Sequence, residues 1–146
     1  MTTDLLTQLS NDFFQNSLDS SPTSAIMRGH KAYFEKLEEL TDETFNKEAE
    51  VVDEFISRLE NIDQNTLSHR EKVTYGMLEF ALSSNKDSLL DKSWEFGAGV
   101  SGFTGFLIDY NQQMFVPDIE SADMLLKRLE LYKRLFSQIA AVQKVG

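Results

Sequence analysis

Apolar residues in this chain recur at steps of three and four, and almost nowhere do they alternate one by one with polar residues. The clearest run is Phe45, Ala49, Val52, Phe55, Ile56, Leu59 and Ile62, which falls on one stripe of a helix. Glu48, Glu50, Glu54 and Glu60 lie on the other side. A half-buried strand needs a period of two, so a sheet has no material here. The spacing predicts an all-α fold, an irregular bundle of about five helices. A segment rich in glycine and aromatics separates the last two. Length suits a single helical domain over residues 1–146.

Local signals set the expected helix ends. Leu5, Leu6, Leu9, Phe13 and Phe14 predict a first helix from about Thr3 to Leu18. Ser21-Pro22 reads as an N-cap with proline at the first helical position, and Gly29 as a stop, so a short helix is predicted over 22–28. Thr41 is the expected cap of the long helix, with Asp42 and Glu43 placed where the helix dipole favours anions. Ser68-x-x-Glu71 forms a capping box. The helix that it opens carries Val73, Met77, Phe80 and Ala81 as its expected inner stripe, and stops near 83–85 or runs to about Leu90. Ser121 is the expected cap of the last helix, which runs to about Lys144 with Ala122, Leu125, Leu126, Leu129, Tyr132, Phe136 and Ile139 as its stripe. Between them, residues 97–117 carry Gly97, Gly99, Gly102 and Gly105 among aromatic residues. A loop, a broken helix and a close-packed crossing all fit that pattern.

Charge narrows the partners. Twenty-four acidic residues against fourteen basic ones leave a net charge of −10. Nucleic acid and anionic membrane faces both require a basic footprint, so neither is expected. The charge is uneven, with ten acidic residues between Glu35 and Glu60. Lys127, Arg128, Lys133, Arg134 and Lys144 crowd the last helix. These runs read first as solvated faces, and otherwise as an acidic helix docked on the basic one or a basic face that meets a partner. There is no cysteine, which removes disulfides, thiol nucleophiles and cysteine-held metals. No basic leader precedes an apolar run and no stretch approaches the roughly 20 apolar residues of a membrane span, so a cytoplasmic location is expected.

Catalytic motifs fail on their context. Gly97-Ala98-Gly99-Val100-Ser101-Gly102 matches GxGxxG, but a dinucleotide site needs a strand before it and a βαβ unit around it. A nucleophile elbow would need glycine where Phe103 stands. His69-Arg70-Glu71-Lys72-Val73 carries the wrong residues for HExxH. His30 and His69 therefore read as surface or capping residues. Asp63-Gln64-Asn65 lacks the glycine and the distal glutamate of an EF-hand and reads as a turn. Paired carboxylates such as Glu38-Glu39 and Asp53-Glu54 read as solvated. No catalytic, cofactor or metal residue is expected. The candidate contact surface is aromatic: Trp94, Phe96, Phe103, Phe106, Tyr110 and Phe115, joined by Tyr132 and Phe136 of the last helix.

The order of the pieces resembles a known family. Phe13-Phe14 leads to Ser21-Pro22-Thr23-Ser24-Ala25 and Met27-Arg28-Gly29, then to Leu40-Thr41-Asp42, Leu59-x-x-Ile62-Asp63 and Leu67-Ser68. Leu78 to Leu82 and Lys127-Arg128-Leu129 follow. This arrangement is similar to the N-terminal part of the bacterial domain of unknown function 885 family, over about residues 10–145. The chain departs from it at Glu95–Gly102, where the family has a stretch containing proline and glutamine. The resemblance implies a largely helical protein of several hundred residues, related to zinc metallopeptidases, with an HExxH-type motif far downstream. No metal ligand carries over onto this chain, and zinc is implied only for a longer member.

Two roles are therefore expected. One is a non-catalytic N-terminal helical region that shapes or covers the substrate groove of a downstream catalytic part. The other is a stand-alone helical module for protein interaction or self-association, through the aromatic segment or the last helix.

Overall fold

A computed structural model describes residues 2–92, 95 and 116–142. The fold is all-α, an irregular bundle, as the spacing predicts. Among the described residues there are five α-helices and no strand: α1 Thr2–Ser20, α2 Pro22–Met27, α3 Asp42–Glu60, α4 His69–Leu90 and α5 Ile119–Val142. Single 3-10 turns occupy Lys31–Tyr33 and Gln64–Thr66. The chain divides into two compact units, Met1–Asn16 with Glu43–Lys92 and Ser17–Asp42 with Ser93–Gly146.

The first unit is built on apolar contact. Leu6 and Leu9 of α1, Val52, Phe55 and Leu59 of α3, and Tyr75, Leu78 and Leu82 of α4 share one buried cluster with Ile62 and Leu67. Each buried leucine, valine or phenylalanine contributes roughly 1.5–3 kcal/mol. Phe13 meets the Phe55 ring edge-on at 5.8 Å. The Arg58 guanidinium lies over the Phe55 ring, 5.5 Å from its centroid, and pairs with Asp12. Between α3 and α4 the Asp63 carboxylate accepts from the backbone and side-chain nitrogens of Asn65, at 2.9 and 3.0 Å, closing the expected turn. The capping box is complete. Ser68 N–H donates to Glu71 at 2.7 Å, and Glu71 N–H donates back to the Ser68 hydroxyl at 3.4 Å.

Helix α4 corrects one expectation. It runs on to Leu90, but its inner face is Tyr75, Leu78 and Leu82. Of the expected stripe, Val73, Met77 and Phe80 are exposed and Ala81 is half-buried. The helix is apolar on two opposite sides, so periodicity alone does not choose between them. The run that won, continued by the half-buried Leu89, spans about four turns; its rival spans about two. In α1 a similar adjustment leaves Leu5 and Phe14 exposed while Leu6, Leu9 and Leu18 are buried.

In the second unit α2 ends as its glycine requires. Gly29 has φ +87°, its N–H donates to the Ile26 carbonyl at 2.8 Å, and His30 N–H donates to Ala25 at 3.1 Å. That bond pair is a Schellman motif, and the left-handed residue within it strongly favours glycine. Ser21 holds the N-cap position without capping, since its hydroxyl donates to the Ser24 hydroxyl instead, at 2.8 Å.

Downstream, residues 35–40 track α5. Lys127 reaches Glu35 at 2.6 Å, Arg128 donates to the Lys36 carbonyl, and Leu40 N–H donates to Gln138 at 3.2 Å. Leu37 is buried with Tyr132, Leu135 and Ile139. About five extended residues and about ten helical ones cover the same ~15 Å, so the two segments stay in step. A separate apolar cluster joins Leu18, Ala25, Ile26, Tyr33 and Phe34.

Two expectations for α5 are corrected. Asp118 caps it, not Ser121: the Asp118 carboxylate accepts from Ser121 N–H at 2.7 Å, and Ser121 is buried in the first turn. The buried face runs through Ser121, Arg128, Tyr132, Leu135 and Ile139. Leu126, Leu129 and Phe136 are exposed. Tyr132 and Ile139 are buried as expected, but reading Arg128 as a solvated cation turned the rest of the expected stripe away from the true one.

Candidate contact surface

Trp94, Phe96, Phe103, Phe106, Tyr110 and Phe115 lie outside the described residues, as does most of the glycine-rich segment. The remaining two candidates are on α5. The Tyr132 ring is buried and packs at 5.8 Å, tilted by 50°, on Phe136, which is exposed.

The feature that sequence reading missed is polar and internal. Arg128 is 0% exposed, Thr23 0% and Glu38 4%. Glu38 Oε1 accepts from Thr23 N–H at 2.8 Å, and Oε2 from the Thr23 hydroxyl at 2.7 Å. Arg128 donates through one terminal nitrogen to the Thr23 oxygen and through the other to the Lys36 carbonyl. The threonine hydroxyl thus takes a hydrogen bond from the cation and gives its own proton to the anion. Buried charges persist where they are hydrogen-bonded, and here Thr23 links the two. The clamp also fills a gap at the start of α2, where Ser21 leaves the backbone uncapped: Thr23 N–H, one of the orphan amides of the first turn, is taken by Glu38. Glu38, expected to be solvated, is therefore the capping acceptor of α2. A signal was present in the pairing of an acidic residue with leucines on either side, Leu37 and Leu40. Nothing in the sequence marked Arg128 as its counter-charge.

At the surface of the same unit Lys31 pairs with Glu120 at 2.9 Å and Asp118 at 3.2 Å. Ser121, by its side chain beside the carboxylate and by its donated amide, and then Lys31 push the Asp118 carboxyl down to about 2. The Lys31 ammonium is raised in turn, by Glu120 first and Asp118 second.

Zinc finds no donor set among the described residues. His30 stacks edge-on to Tyr33 at 6.3 Å, and His69 stands exposed at the first position of α4. No group of three or more His, Asp or Glu among the described residues is placed to hold an ion. No described helix is long and apolar enough to cross a membrane.

What the geometry defines is a helical protein with one apolar core, one core organised round a buried arginine, and apolar residues left on the outside of α4 and α5. The chain belongs to the family described as bacterial protein of unknown function (DUF885), whose profile matches residues 22–146. The match begins at Pro22 and so takes in Thr23, Glu38 and Arg128. No curated protein and no solved structure matches the chain.

Proposed function

We propose that this chain is a non-catalytic helical region of a metallopeptidase-like protein, and that it shapes or covers a substrate groove supplied by a downstream catalytic region. The observation that carries the reading is the closed state of the clamp. Both Glu38 oxygens are taken by Thr23, the two terminal nitrogens of Arg128 are taken by Thr23 and the Lys36 carbonyl, and the residues are buried. A general acid or base needs a face open to substrate. A clamp of this kind holds segments in one shape, which is what a groove wall requires. The family match over residues 22–146 supports the family part of the resemblance; the metallopeptidase-like context rests on that resemblance alone.

The test is metal analysis and peptide hydrolysis on one purified sample. The expected result is no stoichiometric zinc and no cleavage of an unfolded casein substrate. One zinc per chain, lost with His30→Ala or His69→Ala and accompanied by hydrolysis, would overturn the reading and make the chain an enzyme in its own right.

A second reading is favoured by the outer face of α4, where three large apolar side chains stand in the open. There the chain is an interaction module, and its partner is another protein chain.

A further inference from the structure

The outer face of α4 serves neither the apolar core nor the clamp. Val73, Met77 and Phe80 are 53%, 68% and 75% exposed. At 100° per residue they form a stripe opposite Tyr75, Leu78 and Leu82. Gly76 sits beside that stripe, in the helix interior. Its φ is not positive, and a Cβ built on it meets nothing within 4 Å. Neither backbone conformation nor internal packing calls for glycine at this position, and glycine weakens a helix there. Its effect is to leave a notch on the outside.

We propose that this face binds a second copy of the chain, α4 against α4, antiparallel across a two-fold axis level with Leu78. Charge selects the occupant and its direction. The outward side of α4 carries Arg70 at its start, beside His69, and Asp87 in its last turn, with Asp91 just past its end. A parallel pair sets like charge on like. An antiparallel pair sets the basic end of each helix on the acidic end of the other. In the same register Phe80 of each copy falls opposite Gly76 of its mate, so the ring enters the notch. Asp87 of each copy then falls opposite His69 and Arg70. An interface of this type is self-complementary, as a two-fold contact must be.

Light scattering behind a sizing column, over a range of concentrations, reads the association. The expected species has twice the 16.7 kDa chain mass. Phe80→Glu is expected to give a monomer of unchanged helix content, since the side chain is exposed. Gly76→Ala separates the proposal from a simple surface position: it should raise the melting temperature of the dilute monomer and weaken the dimer. Asp87→Arg should weaken the dimer about tenfold or more, and adding Arg70→Asp should restore it. Because the chain has no cysteine, direction is read from a mixture of Val73→Cys and Ser84→Cys chains, which should oxidise to the mixed disulfide. A chain that stays monomeric at every concentration overturns the proposal and leaves the face to a different protein. So does a dimer indifferent to Phe80→Glu, or one whose cysteines pair like with like.

Discussion

The two units solve the same problem with different chemistry. Around α3 and α4 the core is a single apolar cluster, from Leu6 to Leu82, and its polar groups stay on the surface. Around α2 and α5 the apolar residues fall into two smaller clusters. The segment between them is held by Thr23, Glu38 and Arg128, all buried. Apolar packing is non-directional and tolerates change by degrees. The clamp is directional: each partner has a fixed donor or acceptor to meet, and removing one strands the others. A polar core thus specifies one arrangement at the expense of tolerance.

That contrast can be broken most sharply at Arg128. Arg128→Ala leaves Glu38 and the Lys36 carbonyl buried without their cation, and an expected loss of about 3–5 kcal/mol in urea unfolding follows. Adding Glu38→Gln should cost much less than its effect alone, because the stranded charge is then already gone; a double-mutant cycle measures the coupling. If the two changes simply add, the clamp is not a unit. In the apolar unit Leu82→Ala should cost about 2–5 kcal/mol, with no such partner whose removal compensates it. Gly29→Ala tests the α2 stop, where open space around the position leaves only the backbone term; about 1–2 kcal/mol is expected by thermal melting.

Acid gives the gentlest probe. The Asp118 carboxyl is held down at about 2, against an ordinary value of 3.8. A depressed carboxyl contributes its stabilisation above the unfolded value and loses it as pH falls through the folded one. Stability from this group should therefore drain between about pH 4 and pH 2. Asp118→Asn keeps a capping oxygen and should flatten that part of the melting-temperature profile. An unchanged acid limb would show that Asp118 is not held as described.

Legibility followed locality. The capping box at Ser68, the proline start and glycine stop of α2, and the α3 stripe were readable because each depends on residues within one or two turns. The inner face of α4 was not, since Val73-Met77-Phe80 and Tyr75-Leu78-Leu82 are both valid helical stripes and only the arrangement of α1 and α3 decides between them. Asp118 and Ser121 are both good caps three residues apart, and Lys31, far off in sequence, helps to fix the first. The clamp was least legible. Glu38 and Arg128 are residue types almost never buried unless paired, and no local pattern announces a pairing across the length of the chain. Of the candidate surface, Phe136 is exposed on α5, while Tyr132 belongs to a core.

The reach of the clamp bears on how the protein is made. Thr23 and Arg128 are 105 positions apart, and Lys36 and Arg128 are 92 apart. On the ribosome, every residue of the α3–α4 unit exists once Lys92 has been added, whereas the clamp has no cation until Arg128 emerges. Closing so long a loop adds little thermodynamic cost, since each doubling of its length adds only about 0.6 kcal/mol. The cost is one of waiting. While it lasts, Glu38 has no cation to answer it and stays in water, and α2 lacks the cap that a buried carboxylate would supply.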